Sequence, residues 1–267
     1  MIRVRFHVPS AAPGARVTFP DHAAHHARDV LRLHSGAPVL VFDGAGNEFA
    51  ATLDEVSKAR VSARLGAAVA AKPESPLQLV LALSPLKGDR MELAIQKATE
   101  LGVAEIWPVV TVRTDAVARP ALQGSRQERW EKVAVGAAEQ CGRSVVPHIA
   151  PTASLAELLG RPFDGARFVL LERAAEAGFR EFPASSSAMV LIGPAGGWEP
   201  GEVTCLREAG FVAVSLGPRI LRAETAAVAA IAVLQALWGD LLVLGGAASH
   251  PPDPPSAARG LVPPKPV

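Results

Sequence analysis

The sequence predicts an α/β fold built on a mostly parallel sheet and preceded by a small, mostly β module. Three observations carry that prediction. Apolar residues recur with a short, strand-like period up to about Ser75, and with a strand-then-helix rhythm from Pro76 onward. The strand stretches of the second part are continuous apolar runs, as in strands buried on both faces. Strands alternating with helices imply a parallel sheet covered on both sides.

In the first part, "DHAAHHARDVLRLHSG" predicts a short helix ending near Gly36. "APVLVFDGAGNEFAATLDEV" holds an apolar run, an Asp-Gly turn and a second run, which is a hairpin pattern. "ARVSARLGAAV" supplies another strand. Ala71–Pro76, "AKPESP", has linker composition and divides the chain into residues 1–75 and 76–245. After it, "LQLVLAL" is a buried strand and "GDRMELAIQKATELG" a helix. Met91, Ala94, Ile95, Ala98 and Leu101 form that helix's apolar face, opposite Arg90, Glu92, Gln96, Lys97 and Glu100. Gly102 stands where a left-handed cap ends such a helix. "AEIWPVV" is the next strand, "SRQERWEKVAVGAAEQ" the next helix, and "RFVLLE", "AMVLIG" and "FVAVSLG" three further strands. From Gly246 the Pro-rich remainder, 246–267, predicts a disordered tail.

With 49% hydrophobic residues among 267, disorder is excluded for most of the length. A net charge of +1 excludes a uniformly basic coat, so a nucleic-acid partner has to be met by a local groove. Cys141 and Cys205 stand far apart without a CxxC partner, which points to neither a zinc site nor a disulfide framework. The start, "MIRVRFHVPSAAPG", lacks the apolar core of a signal peptide. The apolar run Ala226–Trp238 falls short of the roughly 20 residues that a bilayer span needs. These features point to a cytoplasmic protein with reduced thiols.

Ligands of parallel α/β sheets lie beyond the carboxyl ends of the strands. Three loops fall there: "LER", "GPAGGWEPG" and "LGPRILR". Glycines 193, 196 and 197 allow close backbone approach to a ligand, although such turns also serve as plain connections. The spacing is not GxGxxG and no GxxxxGK[ST] occurs, which disfavours dinucleotide and nucleoside-triphosphate sites. In "LGPRILRAET" a helix begins near Ala223, so Glu224 and Thr225 occupy its first turn, where the helix dipole favours an acid. Taken alone, Glu224 reads equally as a cap and Arg222 as a solvated side chain.

Together, "PLKGDRMELAIQKATELGV", "EQCGRSVVP", "IGPAGGW" and "LGPRILRAETA", with "HH…VLRLHSGAPVLVFDGAG" upstream, change that balance. In this order they resemble the bacterial 16S ribosomal RNA uridine N-3 methyltransferase family (RsmE), a branch of the SPOUT methyltransferases, over about residues 1–240. The resemblance implies a PUA-like RNA-binding barrel over 1–75 and a SPOUT-type domain with a C-terminal trefoil knot over 76–245. It implies S-adenosyl-L-methionine as methyl donor, a homodimer, and 16S ribosomal RNA of the small subunit as partner. It further implies a cofactor pocket formed by Leu171, Glu172, Gly193, Gly196, Gly197, Leu216, Gly217, Ile220, Leu221 and Thr225. One departure is visible: the family usually has Glu where this chain has Ala195. A non-catalytic RNA-binding protein of the same fold, or a methyltransferase acting on transfer RNA, are the rival readings.

The chemistry assigns further roles. Methylating the imino nitrogen of uracil requires removal of a proton and stabilisation of charge on the flanking carbonyl oxygens. Arg222 suits the second task, because a guanidinium stays charged and donates in a fixed fork. Glu224 is the nearest acid, either to accept the proton or to orient Arg222. Lys87, Arg90, Lys97, Gln140 and Arg143 are the candidates for the local RNA groove. Five of the seven histidines fall in the first module, where RNA contact or packing is expected of them rather than catalysis.

Overall fold

The computed structural model describes residues 4–114, 125–171 and 177–242. Glu172 and the Pro-rich 246–267 lie outside the described residues.

The N-terminal module holds five strands, β1 (Arg5–His7), β2 (Arg16–Thr18), β3 (Pro38–Phe42), β4 (Glu48–Val56) and β5 (Val61–Val69), in the order β1-β3-β4-β5-β2. The expected hairpin is β3–β4, antiparallel, with Leu40 opposite Ala50. β1 and β2 are three residues each, too short to show as a periodic pattern. Alternation puts one face of every strand into a single core that includes Phe6, Val17, Val41, Leu53 and Ala63. Phe6 on β1 and Phe19 just beyond β2 pack with ring centroids 4.9 Å apart, although β1 and β2 are the opposite edges of the sheet. A flat sheet of five strands spaced about 4.8 Å would hold those edges roughly 19 Å apart. The sheet is therefore curled into a barrel-like form around its core.

The helix expected up to Gly36 stops at Val30. Its first part, α1 (Asp21–His25), passes into a π-helical turn over His26–Val30. There the Leu31 N–H reaches back to the His26 carbonyl, and Arg32 turns the chain with a positive φ of 52°. Only Ala23, Ala24 and Ala27 are buried, so little packing favours a longer helix.

The second part is a parallel sheet. Its strands are β6 (Gln78–Leu83), β7 (Glu105–Val110), β8 (His148–Ile149), β9 (Ala153–Ser154), β10 (Ala166–Leu170), β11 (Ser187–Ile192) and β12 (Val212–Val214). The order is β12-β10-β11-β6-β7-β8, with β9 paired to the end of β7. Three helices, α2 (Arg90–Glu100), α3 (Ser125–Cys141) and α6 (Ala223–Trp238), pack on one face; α4 (Leu155–Leu159) and α5 (Pro200–Glu208) pack on the other. β6 shows why its apolar run is continuous. Leu79, Leu81 and Leu83 pack in the core under α2, α3 and α6, and Val80 and Ala82 in the core under α4 and α5. α2 buries Met91, Ala94, Ile95 and Ala98 of the stripe read from its sequence, with Thr99 added and Leu101 half-buried just beyond its end, and Gly102 takes the left-handed conformation (φ 81°).

The stretch with linker composition is tightly held. Glu74 pairs with Arg143 (2.6 Å), and buried Ser75 donates to Oε1 of Gln235 on α6 (2.6 Å). Beside it, Arg5 of β1 fastens the two sheets together. Its guanidinium pairs with Glu48 (2.7 Å) and donates to the carbonyls of Ala138 (2.8 Å) and Arg143 (3.0 Å). The His7 backbone N–H, at the sheet edge, donates to Glu139 of α3 (2.9 Å).

Candidate active site

Beyond the carboxyl ends of β10, β11 and β12 the loops enclose a cleft of about 1000 Å³. It collects most of the residues singled out from the sequence: Leu171, Gly193, Gly196, Gly197, Leu216, Gly217, Ile220, Leu221, Arg222 and Glu224, with Lys87 and Arg90 at its side. Thr225 is exposed on the first turn of α6 and does not line the cleft. Lys97, Gln140 and Arg143 lie elsewhere. Lys97 pairs with Glu100 (2.9 Å), and Gln140 is exposed at the end of α3. The Arg143 guanidinium is 11% exposed and donates to the carbonyls of Thr99 and Val103 besides pairing with Glu74. Those bonds commit Arg143 to the junction of the two parts and remove it from an RNA-facing groove. Its sequence neighbourhood gave no sign of partners 40 or more residues away.

Local geometry explains the glycines. A Cβ on Gly193 would lie 2.6 Å from the Trp198 indole, whose Nε1 donates to the Leu170 carbonyl (3.3 Å). That bond closes the turn onto the end of β10, and only glycine leaves room for it. Gly197 (φ 74°) and Gly217 (φ 91°) occupy the left-handed region, which a side chain disfavours. The two turns therefore present bare backbone to the cleft.

Arg222 caps α6 with extended backbone (φ −64°, ψ 150°), and its carbonyl takes the Ala226 N–H (2.8 Å). Its side chain is exposed and forms no hydrogen bond or ion pair with other described residues. Glu224 is 12% exposed and approaches Arg90 of α2, 3.9 Å from Nε, rather than Arg222. Among the described residues that line the cleft, Lys87, Arg90, Arg113, Arg219 and Arg222 are cationic and Glu224 alone is acidic. The cleft is thus locally rich in cations on a chain of net charge +1, and of the residues expected to form an RNA groove it holds Lys87 and Arg90. Arg113 and Trp198 are lining residues that the sequence does not single out. Trp198 adjoins the double glycine and was within reach of sequence reading, whereas Arg113 carries no local signal.

The cleft suits a nucleoside-like ligand with a polar extension. Leu171, Ile192, Leu216, Ile220 and Leu221 give apolar walls for a flat base, and the glycine turns give backbone polar groups at close range. Its volume stands at the top of the roughly 300–1,000 Å³ usual for single-ligand sites, which leaves space for a second reactant. Among the described residues, no cluster of three or more His, Cys, Asp or Glu side chains is arranged to hold a metal. No helix among them is long and apolar enough to cross a membrane.

A cleft of bare glycine turns beyond a parallel sheet, with a curled β module ahead of it, defines a class. Residues 73–235 match the RNA methyltransferase domain family, and residues 19–66 match the RNA methyltransferase PUA domain. The ribosomal RNA small subunit methyltransferase E of Bacillus subtilis is 33% identical over 219 residues, which are 79% of this chain and 86% of that one. The enzyme of the same name from Neisseria gonorrhoeae, solved bound to S-adenosyl methionine, is 36% identical with a TM-score of 0.81, covering 90% of this chain and 99% of that one. A methyltransferase from Legionella pneumophila, solved with bound SAM, gives 33% identity and a TM-score of 0.86 over 90% of this chain and 100% of that one. This chain belongs to the ribosomal RNA small subunit methyltransferase E family.

Proposed function

We propose that this protein transfers a methyl group from S-adenosyl-L-methionine to ring nitrogen 3 of a uridine in 16S ribosomal RNA, and that it works as a homodimer. The observation that carries the reading is Arg222, a guanidinium at the head of α6 that pairs with no other described residue, set in a cationic cleft of bare glycine turns. The bound cofactor supplies an already activated methyl group, so the chain's work is orientation and electrostatics. Such positioning contributes on the order of 7–11 kcal/mol of barrier lowering. The Arg222 fork donates to a uracil carbonyl as charge develops there. Glu224, which lies 3.9 Å from Nε of Arg90, takes the imino proton in this reading. Lys87, Arg90 and Arg219 meet the RNA backbone at the rim.

In this reading residues 1–75 bind RNA, residues 76–245 carry the methyltransferase with its trefoil knot, and 246–267 form a tail. The relatives' names support the small-subunit substrate, and SAM in the related structures supports the cofactor. Mapping modified uridines in 16S RNA from a strain lacking the gene tests the substrate: one N3-methyluridine is expected to disappear. Unchanged 16S RNA with a lost modification in transfer RNA would move the enzyme to the rival substrate. Calorimetry with S-adenosylmethionine tests the enzyme reading itself, because a non-catalytic RNA-binding protein is expected to show no binding. RNA affinity is expected to fall steeply with salt as phosphate contacts release counterions.

A further inference from the structure

The loop that follows β7, residues 111–114, has no part in the roles above, yet it is built against the glycine turn. Arg113 Nε donates to Glu199 Oε1 (2.6 Å), and Nη1 donates to the Gly196 carbonyl (3.2 Å). Its stem lies so close to the turn that a Cβ on Gly196 would stand 3.2 Å from Arg113 Cβ. One residue earlier, the Val112 N–H donates to Glu202 Oε1 (2.8 Å), while Glu202 Oε2 takes the Glu199 N–H (3.0 Å). Glu202 is 8% exposed, so this carboxylate is a buried rivet between the two loops. The far side of the loop is equally fixed. Thr114 Oγ1 accepts the Thr111 N–H (2.8 Å) and bonds the buried Ser84 hydroxyl at the end of β6 (2.8 Å).

We propose that Arg113 is a positioning residue for the methyl donor, spanning Gly196 and Glu199 to hold the glycine turn in its binding shape. The inference rests on the reading of the cleft as an S-adenosylmethionine site. Ala195 and Gly196 are exposed and bring no side-chain anchor of their own. Glycines at 196 and 197 widen the conformations open to the turn, and ordering it on binding subtracts from affinity. A guanidinium is suited to the task because its fork reaches a carbonyl and a carboxylate at once, whereas an ammonium presents one point charge. Its effect therefore falls on cofactor binding, in contrast to Arg222, whose effect falls on the chemical step.

The test uses the full chain, titrating S-adenosylmethionine by calorimetry and measuring single-turnover methylation of small-subunit RNA at saturating cofactor. Arg113→Ala is expected to weaken cofactor binding about tenfold, the scale of one charge-assisted hydrogen bond, with the saturated rate within about twofold of wild type. Arg113→Lys is expected to recover part of the affinity. Glu199→Gln, which keeps the shape of the helix start, is expected to lose less than Arg113→Ala, and the double variant no more than Arg113→Ala alone. Unchanged cofactor affinity in Arg113→Ala, or additive losses in the double variant, overturns the proposal while leaving the enzyme reading intact. So does an equal loss of affinity and saturated rate. A wild-type chain that binds no S-adenosylmethionine overturns the enzyme reading and this proposal together.

Discussion

Two groups of arginines in this molecule are used in opposite ways. At the junction of the two sheets, Arg5 and Arg143 are 10% and 11% exposed, and every bond they make goes to a carboxylate, a hydroxyl or a backbone carbonyl of the chain itself. At the cleft, Arg219 and Arg222 are exposed, and no ion pair or side-chain hydrogen bond joins either to another described residue. A buried guanidinium is costly unless its donors are satisfied, so the junction set records what the fold needs. An unpaired arginine at the head of a helix does nothing for the fold there, because the dipole favours the opposite sign. Such an arginine is open to a ligand. Sequence alone shows the residue type in both places; the partners decide the role.

The largest expected effect tests the junction. Arg5→Ala leaves Glu48 buried without its cation and strips the Ala138 and Arg143 carbonyls of a donor. Removing one member of a buried pair costs about 3–5 kcal/mol. Denaturant unfolding is expected to show a loss of that size; a loss under about 1 kcal/mol would mean that Arg5 is not what fastens the two parts together. The same substitution at the cleft is expected to act on rate instead of stability. Arg222→Ala should leave unfolding unchanged within about 0.5 kcal/mol, as for surface changes generally. It should slow single-turnover methyl transfer by about 10²–10³-fold, the scale for one preorganised donor. Arg222→Lys should recover only part of the rate, since the fork is lost. If Arg222→Ala instead weakens cofactor binding as much as it slows transfer, Arg222 belongs with the pocket walls.

How much of this was legible follows from where each signal resides. The strand-helix rhythm, the apolar stripe of α2 and the left-handed Gly102 are local properties, and each appears where the residues put it. The cleft was legible because the ends of parallel strands gather in space whatever the loops contain, and the glycines mark which loops come close. Pairings across the chain were not legible. Glu224 approaches Arg90, 134 positions away by residue number (224 − 90), rather than its neighbour Arg222. Ser75 sits in a stretch of linker composition, yet it is buried against Gln235. Composition reports what a segment is made of, and burial depends on what another segment brings to it. The early stop of the N-terminal helix at Val30 has the same origin, since of the residues that would have extended it Leu31, Arg32, His34 and Ser35 stay exposed.

The smallest expected effect concerns Glu139, and its sign separates the junction from the open surface. Burial pushes the Glu139 carboxyl above its ordinary 4.5, against the lowering pull of the His7 N–H and of Arg5. Exposed Asp29 behaves oppositely, held at about 2 chiefly by its hydrogen bond from Arg28. A raised carboxyl means that between its ordinary and its folded value the folded chain holds the proton more often than the unfolded chain. Stability from Glu139 is therefore present at low pH and lost as pH rises above about 4.5. Asp29 titrates below that window, while His7, held low by burial, is a group whose contribution is lost as pH falls below its ordinary 6.5. These two act alike in wild type and in Glu139→Gln, so the difference between the proteins isolates Glu139. Glutamine keeps an acceptor for the His7 N–H and resembles the protonated acid. The two proteins are thus expected to match in unfolding free energy near pH 4, with Glu139→Gln the more stable at pH 7. A wild type that gains on the variant as pH rises would show that attraction to Arg5 outweighs burial, and that the junction is held by charge.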